Sequence, residues 1–489
     1  MKLNALLKGI SIIECNVDFN LEVTYISSDH RKVNKNYIFV AINGSKRNGV
    51  DFINFAIENG ATVIITQDKK ACNENIPYIL VENVRNSITR IWSNFYYNPE
   101  KSLKVVAITG TNGKTSSAYY LYNIIRSAGF SCGLISTIDC LINDKKIDLK
   151  KDGIVSDENS NMTTPDPEVL FYILNLMRNS DIKFAIMEAS SHALEQNRLG
   201  GIEIEIGAFT NLSNEHLDYH KSMGEYFKAK EKLIEMSKTC VINADDEYGD
   251  RILKKYPNKS FSFSLNNKDN FYASECNCNL NGCEYKLNYN GKSINIKTSM
   301  LGKFNIYNSL LAASCAKLLN IEDDYIADGI QNMLQIKGRM ERYKDKNIYI
   351  DYAHTPDAMK KAIMLLRDLE PNKKIISLFG CGGDRDKSKR AKMGRISTSY
   401  ANFTVITSDN SRSENVNEII SNILKGIVVK DNYIVIPNRR EAIIYTVNIM
   451  KEDEILLLLG KGHEEYEITS KGKLHFDERE ILDEVFQDW

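Results

Sequence analysis

Residues 104–115 read KVVAITGTNGKT, and this stretch decides the fold. Lys104–Thr109 is a short apolar run rich in β-branched residues, which predicts a buried strand. Gly110-Thr-Asn-Gly-Lys114-Thr115 then breaks the run, and a helix is expected over Ser116–Ser127. A glycine-rich turn between a strand and a helix is the setting of a phosphate loop. Gly110 and Gly113 let the N–H groups of Thr111 and Asn112 curl around phosphate oxygens. The helix N-terminus at Ser116 adds a favourable dipole. Lys114 would neutralise the β- and γ-phosphates, and Thr115 would offer its hydroxyl to magnesium. The loop is shorter than the common GxxxxGK[ST] pattern. By itself it does not separate ligase, kinase and switch.

Outward from this loop the chain alternates strands and helices. Before it, Tyr37–Ile42 and Ala61–Thr66 read as strands around a helical stretch near Asp51–Asn59, with Asn98–Pro99 as a linker. After it, strands are expected at Phe184–Met187, Gly207–Thr210 and Thr239–Asn243. An antiparallel hairpin is expected within Asn267–Ser299, where Asn-Gly pairs recur, and then a helix at Asn305–Leu319. Beyond Lys337-Gly-Arg339, strands are expected at Ile348–Asp351, Lys374–Phe379, Thr404–Thr407 and Ile455–Leu459, with a helix at Pro356–Leu369. Such repeats imply α/β architecture with mostly parallel sheets covered on both faces, and ligands at the carboxyl ends of the strands.

Composition excludes several classes. The 489 residues hold 63 Lys plus Arg against 64 Asp plus Glu, so net charge near zero gives no support to a nucleic-acid partner. No apolar run approaches the ~20 residues of a membrane helix. The first residues, MKLNALLKGISIIECNVDFN, lack a signal-peptide core, so a cytoplasmic chain is expected. The ten cysteines read as free thiols of a reducing compartment. Cys276, Cys278 and Cys283 form the one cluster. Three thiols without a fourth ligand read as strand or loop residues rather than a zinc site.

Three of the seven histidines, His192, His216 and His220, fall within one short span, following the apolar strand that ends at Glu188. A carboxylate there sits near the magnesium in many phosphate-loop proteins, and three histidines near strand ends beside such a loop point to a polar active site. Taken alone, Lys230 reads as a surface helix lysine and Arg198 as a solvated arginine.

TGTNGKT, MEASSH, TNLSNEHLDYH, LGKFNIYN, GRME, DYAHTPDA, FGCGGDRDKSKR, TSDNSR and LGKGHE occur in that order. Together they resemble the Mur ligases, from about Ser27 to Glu464, and most nearly the members that add the third residue of the cell-wall peptide. The resemblance implies three domains: 1–98 for the UDP end of the substrate, 99–336 a central phosphate-loop ATPase domain, and 337–489 a Rossmann-like C-terminal domain for the amino acid. It implies a UDP-N-acetylmuramoyl dipeptide, a diamino acid, ATP and Mg2+ as ligands. With the balanced charge and no long apolar run, no nucleic-acid or membrane partner is expected, and the chain is expected to be a monomer.

By the same resemblance, Lys114 cradles the phosphates, Thr115 and Glu188 hold one magnesium, His216 a second, and Lys230 is the lysine that the family carbamylates. Thr163, Thr164, Ser190, Gln196 and Arg198 match muramoyl-peptide contacts. Ser45, Lys46 and Arg47 match a uridine-nucleotide loop. Asn305, Arg339, Asp351 and His354 match residues that contact ATP, and Arg385, Asp409, Asn410, Ser411, Arg412, Gly460 and Glu464 match the amino-acid pocket. Two departures stand out: His30 replaces the Ser of an Asp-Ser-Arg turn, and Ser411 replaces the Pro before Arg412. Arg412 implies meso-diaminopimelate, because its planar fork suits the extra carboxylate. L-lysine stays open as the alternative amino acid, and a non-catalytic nucleotide-binding module as the alternative class. Sister ligases, such as the folylpolyglutamate synthetases or the D-alanyl-D-alanine-adding enzymes, share the loop but not the DNSR and GKGHE motifs.

Overall fold

The computed structural model describes residues 1–44, 47–72, 75–149, 162–213, 217–266, 269–428 and 431–487. The chain folds as two compact units. One comprises Met1–Tyr272 with Asn308–Gly329, the other Ala273–Tyr307 with Ile330–Trp489.

The first unit opens with a five-stranded sheet of β1 (Ile12–Cys15), β2 (Tyr25–Ser27), β3 (Tyr37–Val40), β4 (Ala61–Thr66) and β5 (Tyr78–Val81), in the order β1-β5-β4-β3-β2. Only β1 runs antiparallel to its neighbour. The stretch expected as one helix at Asp51–Asn59 is a 3-10 turn, Gly49–Phe52, followed by the helix Ile53–Glu58. The expected linker at Asn98–Pro99 is a pinned corner. Asn98 takes φ 54°, its N–H reaches the Ser93 carbonyl at 2.7 Å, and Pro99 and Glu100 are buried.

The larger sheet of this unit contains β6 (Lys104–Thr109), β7 (Cys132–Ile135), β8 (Cys140–Ile142), β9 (Lys145–Lys146), β10 (Phe184–Glu188), β11 (Ile204–Phe209), β12 (Ser237–Asn243) and β13 (Ser260–Ser264). Their order is β13-β12-β11-β6-β10-β7-β8-β9. From β13 to β7 all pairs are parallel, as the strand–helix alternation predicts. β6 sits centrally because both its faces are apolar. Val105 and Ala107 pack with Leu170, Leu174 and Met177, and Val106 and Ile108 are equally inaccessible.

The second unit carries the antiparallel pair β15 (Gly282–Tyr289) and β16 (Lys292–Thr298), preceded by β14 (Phe271–Asn279). The reading of all cysteines as free thiols is overturned here, since Cys278 and Cys283 form a disulfide. Their separation of five in sequence does not specify an approach. The β14–β15 turn brings their Cα atoms to 4.1 Å. Cys276 remains a free, exposed thiol.

A six-stranded sheet follows, built from β17 (Glu341–Arg342), β18 (Ile348–Asp351), β19 (Lys374–Phe379), β20 (Phe403–Ile406), β21 (Tyr433–Val435) and β22 (Glu454–Leu459), in the order β17-β18-β22-β19-β20-β21. Only β17 is antiparallel. In β22, Leu457 and Leu459 enter one apolar cluster while Leu456 and Leu458 enter another on the opposite face. Burying each such leucine contributes about 1.5–3 kcal/mol. The helix Pro356–Leu369 starts where Thr355 caps the Ala358 N–H and Pro356 occupies the first turn. Among the described residues, no helix is long and apolar enough to cross a membrane.

Candidate functional site

In the first unit the phosphate loop leaves β6 and enters the helix Lys114–Ser127. Gly110 has φ 145°, and a Cβ there would lie 1.8 Å from Thr210 Oγ1, so no side chain fits. Gly113, at φ 87°, would meet Asn308 Oδ1 at 2.3 Å. The loop is held from the end of β11. Thr111 N–H donates to the Asn211 carbonyl (2.8 Å), Asn112 N–H donates to Asn211 Oδ1 (3.1 Å), and Thr210 Oγ1 donates to the Asn112 carbonyl (2.7 Å). Lys114 Nζ folds onto the carbonyls of Gly110 and Thr111, both at 2.9 Å. Thr115 and Ser116 are buried in the first helical turn.

Glu188 ends β10 next to the loop and is wholly buried. One carboxylate oxygen accepts from Thr137 N–H at 2.8 Å, and the other lies 3.2 Å from Thr137 Oγ1. Thr137 Oγ1 is also 3.0 Å from Thr163 Oγ1. Thr164 Oγ1 donates to the Glu188 carbonyl at 2.9 Å and accepts from Ser190 N–H at 2.9 Å. Thr163, Thr164, Glu188 and Ser190 thus form one hydrogen-bonded cluster, and Thr109 Oγ1 ties it to β6 through the Ala189 carbonyl at 2.7 Å. Thr137 lies in no motif, and only the fold reveals it.

Lys230 is not the surface lysine that its helical position suggests. It is 1% exposed, and its Nζ donates to the Gly110 carbonyl at 2.7 Å. The helix Met223–Met236 carries it into the core on the same face as Tyr226, whose ring lies 4.7 Å from Nζ.

Arg198 is also not solvated. Its Nη1 donates to the Thr164 carbonyl at 2.8 Å, its Nη2 donates to Gln196 Oε1 at 2.9 Å, and Asp166 lies 3.2 Å away. The guanidinium braces the cluster, and Gln196 reaches Tyr219 OH at 3.2 Å. Between Gln196 and Arg198, Asn197 takes φ 54° and joins the helix Val84–Phe95. Its carbonyl accepts from Thr89 Oγ1 at 3.0 Å, and its amide donates to Asn86 Oδ1 at 2.7 Å.

His30 stacks on Phe52 with ring centres 4.6 Å apart, and Arg47 is exposed on its loop. Ser45, Lys46 and His216 lie outside the described residues. Among the described residues, no group of three or more His, Cys, Asp or Glu could hold a metal ion. The Thr115 hydroxyl and the buried Glu188 carboxylate are hard oxygen donors. They fit a magnesium ion that keeps several waters.

In the second unit the ends of β18, β20 and β22 gather their motifs. Asp351 accepts from Met340 N–H (2.7 Å) and Ala353 N–H (2.9 Å), and its carbonyl accepts from Gly460 N–H (3.1 Å). Arg339 lies over the Tyr352 ring at 5.5 Å, and His354, exposed, is tilted against that ring. Asn305 is buried, and its amide donates to the Leu301 carbonyl at 2.8 Å.

Asn410 is a hub. Its Nδ2 donates to Glu464 Oε2 at 2.8 Å, and its Oδ1 accepts from Lys461 Nζ at 3.0 Å and from Ile468 N–H at 2.9 Å. Burial opposes ionisation of Asp409, but Lys461 and Arg439 outweigh it and hold the carboxyl below its ordinary value. Burial, then the Asp409 charge, push the Glu464 carboxyl up. Beneath them Arg439 and Glu478 form a fully buried pair at 2.8 Å. Arg439 also donates to the carbonyls of Ser408 and Leu459, so it fixes both strand ends.

Arg412 has φ 51°. Its N–H donates to the Ile468 carbonyl at 2.9 Å and its Nη1 to the Gly383 carbonyl at 2.8 Å. The proline absent at Ser411 is therefore not the only restraint on this turn. Buried Arg390 grips Glu414 with two hydrogen bonds, at 3.0 and 2.9 Å, and this holds the Glu414 carboxyl down at about 2. Asp384 N–H also donates to Glu414, so the 380–388 loop and the 409–414 loop are locked together. Arg385 is exposed on the first of these loops.

Three family models match the chain. Residues 22–94 match the "Mur ligase family, catalytic domain", 108–316 the "Mur ligase middle domain", and 338–462 the "Mur ligase, glutamate ligase domain". The chain is 38% identical to UDP-N-acetylmuramoyl-L-alanyl-D-glutamate--2,6-diaminopimelate ligase 1 of Clostridium acetobutylicum, with 100% of both chains covered. It is 39% identical to the ligase of the same description from Clostridium perfringens, again with 100% of both covered. A solved structure described as a UDP-N-acetylmuramoyl-L-alanyl-D-glutamate--2,6-diaminopimelate ligase superposes with a TM-score of 0.69 at 28% identity, covering 100% of this chain and 99% of the other.

Proposed function

The chain belongs to the Mur ligase family, and from that premise we propose that it joins meso-2,6-diaminopimelate to UDP-N-acetylmuramoyl-L-alanyl-D-glutamate at the expense of ATP, in peptidoglycan precursor synthesis. The observation that carries the ligase reading is the burial of Lys230 against the phosphate loop. A module that only binds a nucleotide has no use for an amine placed there. The names of the full-length relatives support diaminopimelate over lysine.

The chemistry requires such a site. A carboxylate acylates poorly because its leaving group is poor. The D-glutamyl side-chain carboxylate attacks the γ-phosphorus of ATP, the bond to the bridging oxygen breaks, and an acyl phosphate and ADP result. The diamino acid's amine then attacks the acyl carbon, phosphate leaves, and the amine gives up a proton as the amide forms. Both steps bring anions together, so the protein's task is alignment and charge neutralisation.

In this reading Lys114 turns from the loop carbonyls to the phosphates, and Thr163, Thr164, Ser190, Gln196 and Arg198 orient the peptide. Magnesium would be held by Thr115 and Glu188, with His216 and a carbamylated Lys230 at a second ion. It would supply charge neutralisation at the phosphates. His30, Ser45, Lys46 and Arg47 are assigned to the UDP end. Asn305, Arg339, Asp351 and His354 are assigned to ATP. Arg385, Asp409, Asn410, Ser411, Arg412, Gly460 and Glu464 are assigned to the amino acid. The domain limits 1–98, 99–336 and 337–489 belong to the same reading. We place the enzyme in the cytoplasm, as a monomer.

The test is a coupled assay. ADP and phosphate are expected in step with amide product, and only when ATP, magnesium, the nucleotide dipeptide and the diamino acid are all present. Full-rate ATP hydrolysis without the acceptor would refute the ligase reading.

A further inference from the structure

Tyr226 has no role in the assignments above, yet it stands between the elements they use. It is 0% exposed. Its hydroxyl lies 3.2 Å from Thr111 Oγ1 in the phosphate loop, and its ring lies 4.7 Å from Lys230 Nζ, which itself bonds the Gly110 carbonyl. Behind Tyr226 stands His220, stacked on it with ring centres 5.0 Å apart. His220 Nε2 is 2.8 Å from Ser191 Oγ, and Nδ1 is 3.3 Å from Glu195 Oε2, at the two ends of the helix Ser191–Glu195. That helix is capped by Ser190, a candidate peptide contact. A continuous buried strut therefore runs from the peptide side of the site to the phosphate side.

We propose that Tyr226 is a positioning residue for the ligation, holding Thr111 of the phosphate loop and the Lys230 amine in mutual register through its hydroxyl and ring. The proposal rests on the ligase reading. Its physical basis is the loop's own weakness. Gly110 and Gly113 free the loop to curl around phosphates, and the same freedom lets it sample other geometries. Transfer between anions depends on alignment, so a small loosening of Thr111 and Gly110 is felt in the rate. The peptide contacts themselves are untouched by the hydroxyl of Tyr226, so peptide affinity should be insensitive to it.

Tyr226→Phe keeps the ring and the stack on His220 and removes only the hydroxyl. We expect kcat to fall about tenfold, the loss of one buried hydrogen bond. KM for the nucleotide dipeptide should change by less than about twofold, and the melting temperature should fall by no more than a few degrees, too little to unfold the enzyme under assay. Thr111→Val should lose activity as well, and Tyr226→Phe added to it should cost nothing further. Thr111→Ser, which keeps the hydroxyl, should restore the sensitivity to Tyr226→Phe. Unchanged kcat in Tyr226→Phe, additive losses in the double variant, or a loss that only tracks the unfolded fraction would each overturn the proposal. Wild-type enzyme run in parallel separates the two readings. If wild type forms no amide product, the ligase reading fails. If wild type ligates and Tyr226→Phe matches it, only the role of Tyr226 fails.

Discussion

Lys230 Nζ donates a 2.7 Å hydrogen bond to the carbonyl oxygen of Gly110, 120 residues earlier in the chain. A buried ammonium must have partners, and one partner of this amine is the turn that would wrap phosphate. The contact makes Lys230 part of the packing around the Gly110 turn rather than of the helix surface.

Lys230→Ala should therefore nearly abolish turnover while leaving the fold intact, as judged by far-UV circular dichroism. If the lysine works as a carbamate, short carboxylic acids added to the variant should restore part of the rate. Wild-type turnover in Lys230→Ala would rule out its participation.

Asn197 offers a test of how the helix Val84–Phe95 is coupled to the proposed peptide contacts Gln196 and Arg198. Its φ of 54° and its bonds to Thr89 and Asn86 set the chain direction between Gln196 and Arg198. Asn197→Ala loses the amide bond and leaves a Cβ-bearing residue in the left-handed region, at a cost of about 1–2 kcal/mol. We expect KM for the nucleotide dipeptide to rise by about ten-fold with KM for ATP unchanged. Asn197→Gly tolerates the backbone and should recover part of the loss. Equal rises in both KM values would show that Asn197 serves general stability only.

Arg412→Ala should lower the kcat/KM ratio of diaminopimelate over lysine. The loss of one charge-assisted contact is about 1.5–3 kcal/mol, or roughly ten- to a hundred-fold. An unchanged ratio would mean that Arg412 is spent on the Gly383 carbonyl and does not select the substrate.

Glu414 predicts a pH effect on stability. Arg390 first, then the Asp384 N–H, hold its carboxyl at about 2, against an ordinary value of 4.5. A depressed carboxyl stabilises the folded state fully above about 4.5. That contribution is lost as pH falls toward about 2. Glu414→Gln should therefore lower the melting temperature at pH 7, and the gap to wild type should shrink through that window. A gap that stays constant with pH would show that the pair does not couple charge to stability.

Much of this protein was legible in its residues alone. The strands at Ala61–Thr66, Lys104–Thr109, Ile348–Asp351 and Lys374–Phe379 occur as their apolar runs predict. Both faces of a parallel strand need covering, and that need is written in local composition. The glycine turn of the phosphate loop is equally legible between its strand and helix, although the neighbours that exclude a side chain there, Thr210 and Asn308, are distant in sequence. The ordered motifs identified the family by the same short-range signal.

What only the tertiary structure decided are the pairings between distant segments. Lys230 reads as a surface lysine and Arg198 as a solvated arginine until the packing of the helix Met223–Met236 and of the Thr164 turn removes water from both. Thr137 belongs to no motif, yet it holds both carboxylate oxygens of Glu188. Cys278 and Cys283 were read as free until the β14–β15 turn set them opposite each other. Arg412 lost its expected proline restraint in sequence, while the backbone of Ile468 and Gly383 supplies another in space. Local propensity and patterning act over a few residues. Burial, ion pairing and hydrogen-bond satisfaction depend on what the fold brings together across a hundred or more, and that is where this site is made.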